Sequence, residues 1–171
     1  MREFREAVAA DSAAIAALVN SCYRGDSSRQ GWTTEADLLD GTRTNEEEIR
    51  SLIETPGSLF LLCVDGGEII GSVHLQREES SGYLGMLVVK PDVQAGGMGS
   101  RLMEAGEALV RDKWKLRRMT MNVFTVRPEL LSYYGRRGYR RTGKVKPFHA
   151  HDVHGTPRVE GLELEVLEKD L

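Results

Sequence analysis

Glycines crowd one short segment, Gln94-Ala95-Gly96-Gly97-Met98-Gly99-Ser100, between an apolar run ending at Val89 and an amphipathic stretch beginning near Leu102. Without a Cβ, consecutive backbone N–H groups can approach an anion closely, and a helix starting behind them adds the partial positive charge of its N-terminus. The preceding run, Leu84-Gly85-Met86-Leu87-Val88-Val89, is nearly continuous in apolar residues, as a strand buried on both faces requires. Pro91 removes a backbone donor and ends it. Strand, glycine turn and helix in that order predict a pyrophosphate cradle, and hence a phosphate-bearing cofactor. Two commoner phosphate motifs do not fit. The third glycine of a dinucleotide fingerprint would fall at Leu102, and the one Gly-Lys pair, Gly143-Lys144, is followed by Val145, which lacks the hydroxyl of a P-loop.

At 171 residues the chain suits one domain, residues 1–171, with enough core to need no disulfide or metal staple. A net charge of −3 argues against duplex DNA or an acidic membrane surface as partner, while leaving a small cationic acceptor open. Cys22 and Cys63 lie inside apolar patterns and read as reduced core residues, with no neighbouring His in sequence to lower a thiol pKa. No stretch reaches the ~18 apolar residues of a membrane span. The N-terminus lacks the apolar region of a signal peptide, so the expected location is the cytoplasm.

Periodicity sketches the remaining elements. Residues 3–8 suggest a first strand, and Asp11 or Ser12 caps a helix with the stripe Ile15, Leu18, Val19, Cys22. From Tyr23 to Gly41 the chain reads as a structured loop in which Thr34 caps a short helix carrying Leu38 and Leu39. An acidic first turn, Glu46-Glu47-Glu48, opens a second helix to about Glu54. Leu59–Val64 and Glu68–Gln76 form a hairpin across Asp65-Gly66-Gly67, and Tyr83–Val89 is the next strand. Leu102, Ala105, Leu109, Val110 and Trp114 mark one face of a long helix. Met119–Phe124 is a strand, Pro128 starts a short helix through Tyr134, and Tyr139 onward and Glu160–Leu167 supply the last two strands.

Three segments together, Leu87-Val88-Val89-Lys90-Pro91, Gln94-Ala95-Gly96-Gly97-Met98-Gly99, and Arg127 through Tyr139 with Tyr133-Tyr134-Gly135-Arg136-Arg137-Gly138-Tyr139, resemble the GNAT N-acetyltransferase superfamily. The resemblance is strong over residues 83–141. It implies an α+β fold: a mostly antiparallel mixed sheet of six to seven strands, splayed between the fourth and fifth, with about four flanking helices. Acetyl-CoA would lie in the splay. Leu87, Val88 and Val89 would meet its pantetheine arm, and Gln94, Ala95, Gly96, Gly97, Met98, Gly99 and Ser100 its pyrophosphate. Homodimers are common among similar proteins.

The implied reaction is acetyl transfer to a primary amine of a small molecule or peptide, by direct attack in a ternary complex. A lysine-like amine with pKa near 10.4 is less than about one part in a thousand neutral at pH 7, so a group must accept its proton. A backbone N–H near Val88 or Val89 would stabilise the developing oxyanion. Tyr134 matches the family's tyrosine beside the cofactor sulfur, and a protonated phenol can donate to the departing thiolate; the other reading is a core tyrosine. Where some relatives place a Glu on the fifth strand this chain has Asn122, which cannot accept a proton. His74, on a strand face with Ser72 and Gln76, and a water relay are the two candidates for base. Arg127 stands where many relatives carry an Asn that contacts the pantetheine, so it reaches either a phosphate or an acidic group of the acceptor, or has no ligand role. Tyr23, Asp26, Trp32, Glu35 and Asp37 combine aromatic faces with carboxylates suited to a cationic amine. His149, His151, Asp152 and His154 have the composition of a metal site, but their alternating spacing does not converge, so no metal is expected. The rival function is a non-catalytic acyl-CoA-binding regulatory module.

Overall fold

Asp65 and Glu68 face each other across a two-residue turn in which Gly66 (φ 59) and Gly67 (φ 85) both take the left-handed conformation, the geometry that closes a tight hairpin. That hairpin, β3 (Ser58–Asp65) and β4 (Glu68–Arg77), belongs to the N-terminal half of the sheet in a computed structural model that describes residues 1–23, 34–36, 38–148, 156–158 and 160–171. The other long strands are β1 (Arg2–Glu6), β5 (Gly82–Val89), β6 (Arg118–Phe124), β7 (Arg140–Pro147) and β9 (Glu163–Asp170). They form a seven-stranded sheet ordered β1-β3-β4-β5-β6-β9-β7, antiparallel except between β5 and β6. The final strand inserts between β6 and β7. Two short strands, β2 (Leu39–Asp40) and β8 (Thr156–Pro157), pair separately.

Strand alternation sorts the core into two layers. Phe60 and Leu62 face α1 (Ser12–Tyr23) and α2 (Glu46–Glu54), packing with Ile15, Val19 and Ile49. Leu61, Val73 and Leu75 face the opposite way, onto Leu102, Met103 and Val110 of α3 (Met98–Asp112). A fourth helix, α4 (Pro128–Gly135), carries Tyr134. Among the described residues no helix is long and apolar enough to cross a membrane.

The parting of the sheet is accompanied by a local irregularity in β5. β5 and β6 pair only at Gly82↔Met119 and Tyr83↔Thr120, whereas β5 follows β4 as far as Val89 and β6 follows β9 as far as Phe124. Between Ser72↔Val88 and His74↔Gly85, β5 holds one residue more than β4, and Met86 takes φ 47. An inserted residue bends its strand. The bulge follows the last β5–β6 pair, and among the described residues no pairing with β6 resumes beyond it.

Two expectations are corrected. The long helix begins at Met98, not near Leu102: the glycine segment divides between a 3-10 turn, Pro91–Gly96, and the first turn of α3, joined at Gly97 (φ 74). Proline preorganises the start of the 3-10 turn, and glycine alone passes through the left-handed angle without strain. Leu39 lies in β2 rather than in a short helix. Thr34 Oγ1 does accept from the Ala36 N–H (3.2 Å), and the Glu35 carbonyl accepts from the Leu38 and Leu39 N–H groups (both 2.9 Å), but this single turn goes no further, and Leu39 packs in a cluster with Phe124 and Leu162.

Candidate active site

Where β5 and β6 part, a cavity of about 410 Å³ opens, walled by Tyr83 and Met86 of β5, Asn122 of β6, Tyr134 of α4, and Tyr23 and Arg43 beyond the sheet. On its β5 wall, the Lys90 N–H donates to the Ile70 carbonyl at 2.9 Å, so strand alternation turns Val88 toward β4 and directs the amides and carbonyls of Leu87 and Val89 toward the gap. The Leu87 carbonyl accepts from Tyr23 Oη (3.2 Å), and the Val89 carbonyl from Gln94 Nε2 (2.9 Å). Val88, with its backbone on β4 and its side chain fully buried under α1, is the one residue of that trio turned away from the gap.

The glycine segment leads from this edge to the start of α3. Gly96 and Gly97 are exposed, and a Cβ at either would meet nothing within 4 Å. Met98 and Gly99 are buried at the helix base, and no acidic residue lies in the first turn of this fifteen-residue helix. Orphan N–H groups and the helix dipole therefore face open space without a competing carboxylate. Arg137 adds a full positive charge: its Nε donates to Ser100 Oγ at 2.7 Å, its Nη1 to the Tyr133 carbonyl at 2.9 Å, and its guanidinium lies 3.4 Å over the Tyr133 ring. These residues fit a diphosphate. Arg137 escapes sequence reasoning because Ser100 is 37 positions away, although its i,i+4 spacing from Tyr133 is a readable signal for stacking.

Tyr134 lines the cavity and is 7% exposed, its ring edge-on to Tyr133 (5.2 Å) and Tyr139 (6.3 Å). Burial pushes its hydroxyl pKa up, so the group stays protonated. Tyr139 is pinned in turn by Glu107 Oε2 (2.7 Å), whose other oxygen accepts from Lys169 Nζ (2.9 Å). The aromatic bracket around Tyr134 is thus tied to α3 and β9.

His74 and Tyr134 are not brought together. The His74 ring lies 4.9 Å from Phe60, its Nε2 is 2.8 Å from Ser58 Oγ, and Tyr83 stands 6.4 Å away on the side of the cavity. Burial, aided by the Arg43 charge, pushes its pKa down to about 4. Arg127 is also engaged, pairing with Glu129 and donating from Nη1 to the Thr34 carbonyl at 2.6 Å, so it clasps the loop after α1 to the start of α4. Tyr23, Glu35 and Asn122 line the cavity. Asp26, Trp32, Asp37, His149, His151, Asp152 and His154 lie outside the described residues. Arg43 has no counterpart in the sequence reading, since a lone Arg in a polar loop carries no pattern.

A profile of the acetyltransferase (GNAT) domain matches residues 26–157, about three quarters of the chain. The chain belongs to the GNAT acetyltransferase family. It is therefore an N-acetyltransferase with acetyl-CoA as donor, and the splayed sheet is this family's fold. A GNAT acetyltransferase from Streptococcus pneumoniae superposes with a TM-score of 0.71 at 20% identity over 100% of both chains. The ribosomal-protein-alanine N-acetyltransferase of Brucella melitensis gives 0.73 at 18% identity over 99% of both. The Salmonella typhimurium protein yncA, solved with its cofactor acetyl-CoA, gives 0.71 at 17% identity over 99% of this chain and 94% of its own. No curated protein sequence is significantly similar.

Proposed function

We propose that this GNAT acetyltransferase acetylates a primary amine of a small molecule or peptide by direct attack, with donor and acceptor bound together in the cavity between β5 and β6. The observation that carries the reading is the convergence of a buried, protonated Tyr134 and the gap-facing edge of β5 on one cavity. Bound acetyl-CoA supplies a thioester, an acyl group already activated toward amines. Leu87 and Val89 hold the pantetheine arm through the β5 edge, and the Val89 amide donates to the oxygen on which negative charge develops. Gly96, Gly97 and the first amides of α3 bind the pyrophosphate with Arg137. Tyr134 donates its proton to the departing sulfur. His74, turned to Ser58 behind Tyr83, leaves the amine proton to a water relay.

The test is acetyl-CoA with a panel of amino acids, polyamines, aminoglycosides and peptide N-termini, read by free-thiol release, beside calorimetric titration of coenzyme A. Turnover is expected with at least one amine. Gly96→Glu, which puts a carboxylate into open space at a position needing no unusual backbone angle, should abolish coenzyme A binding. Tight binding with no turnover supports the regulatory module instead. Undiminished binding by Gly96→Glu removes the cradle.

A further inference from the structure

Arg43 is a charged side chain at the cavity that the acetyl-transfer chemistry does not use. It lines the cavity, its Nη1 is sealed from solvent, and among the described residues that nitrogen has no hydrogen-bond partner. Its own backbone N–H is satisfied, donating to Asn20 Oδ1 at 2.8 Å, so the segment is held and the unmet donor is Nη1 of the guanidinium. Other arginines close on carboxylates: Arg141 meets Glu165 Oε1 at 2.6 Å, and Arg127 meets Glu129. Arg43 lies instead 5.9 Å from the ring centroid of Tyr23, whose hydroxyl is anchored to the Leu87 carbonyl. The guanidinium is thereby held on the side of the cavity that the β5 edge and Tyr134 also border.

A guanidinium cannot shed its charge, and a desolvated donor without a partner is unfavourable. Its planar fork matches a carboxylate through two parallel hydrogen bonds. Glu35, 9% exposed, is the one carboxylate among the described lining residues, while Arg43 and Lys146 are both cationic. A polyamine would bring only positive charge to that wall. An amine that also bears a carboxylate brings a counter-charge to the Arg43 guanidinium at the cavity wall and offers its ammonium to Glu35.

We infer that the acetyl acceptor is amino-acid-like, an amine carrying a free carboxylate, and that Arg43 selects it by binding that carboxylate. This rests on the acetyl-transfer reading above, and the experiment separates the two. Free-thiol release is measured for amino acids against the corresponding amino-acid amides, in the wild type and in Arg43→Gln. In parallel, the coenzyme A-saturated protein is titrated calorimetrically with N-acetyl amino acids and with their amides, a readout that needs no turnover. The wild type should favour the free acid in both measurements. Arg43→Gln should lower kcat/KM for the acid on the order of 10–100-fold, the loss of a charge-assisted pair, and leave the amide nearly unchanged. Equal handling of acids and amides by the wild type, or a preference that survives in Arg43→Gln, overturns the inference. Arg43-dependent binding of N-acetyl amino acids with no amine acetylated keeps the carboxylate site and overturns the transfer reading. If neither acid nor amide binds or reacts, the carboxylate site is refuted.

Discussion

Burial acts on Tyr134 and His74 by the same rule: each is held neutral because its charged form loses solvation. For Tyr134 the neutral form carries the proton, which is the form an acid needs. Tyr134→Phe should lower kcat about 100-fold while coenzyme A binds as before. A matching loss of affinity would make the residue part of the packing instead. For His74 the neutral form lacks the proton, and its pKa of about 4 sits below the unfolded value near 6.5. Between these values the unfolded chain binds more protons, so His74's contribution is complete above pH 6.5 and fades as pH falls toward 4. Urea unfolding should show a loss of about 2 kcal/mol from pH 7 to pH 5, and His74→Gln should flatten that slope. An unchanged slope would assign it to other groups. The sequence singled out both side chains, Tyr134 as candidate acid and His74 as candidate base, but a strand pattern says only which face His74 shares. Its Ser58 and Phe60 neighbours come from the register of β3 against β4.

The site owes its shape to β5, which is paired along one edge and released along the other. Gly82 sits at the point of release, opposite Met119. A Cβ there would stand 2.7 and 2.9 Å from the two Val110 methyls of α3, too close for either backbone to ignore. Gly82→Ala should therefore cost about 1–3 kcal/mol through overpacking. Val110→Ala removes the clashing methyls, so the double variant should lose less than the sum of the two single losses in urea unfolding. Strict additivity would place the strain elsewhere. Every long strand and all four described α-helices are readable from period and caps, because those signals arise between residues a few positions apart. The bulge at Met86 is not, since nothing in Leu84–Val89 marks an extra residue until β4 is laid beside it.

At the scale of the molecule, the sheet is two blocks, β1-β3-β4-β5 and β6-β9-β7, joined edge to edge by two residue pairs. A ligand wedged between them should act as a strut. Coenzyme A at 100 times its Kd should raise the unfolding free energy by about 2.7 kcal/mol and slow hydrogen exchange at the Leu87 and Val89 amides. Stabilisation without protection of those two amides would put the ligand outside the gap. The sequence by itself determined most of the elements and the family, and pointed to the glycine segment and Tyr134, because each is written in residues close together along the chain. Only the tertiary structure decided that β9 slips between β6 and β7, that Arg137 reaches Ser100, that His74 turns to Ser58, and that Arg43 reaches the cavity with its Nη1 unpartnered among the described residues. Those outcomes join segments tens of residues apart, and local periodicity reveals which surface of an element is apolar without naming what will cover it.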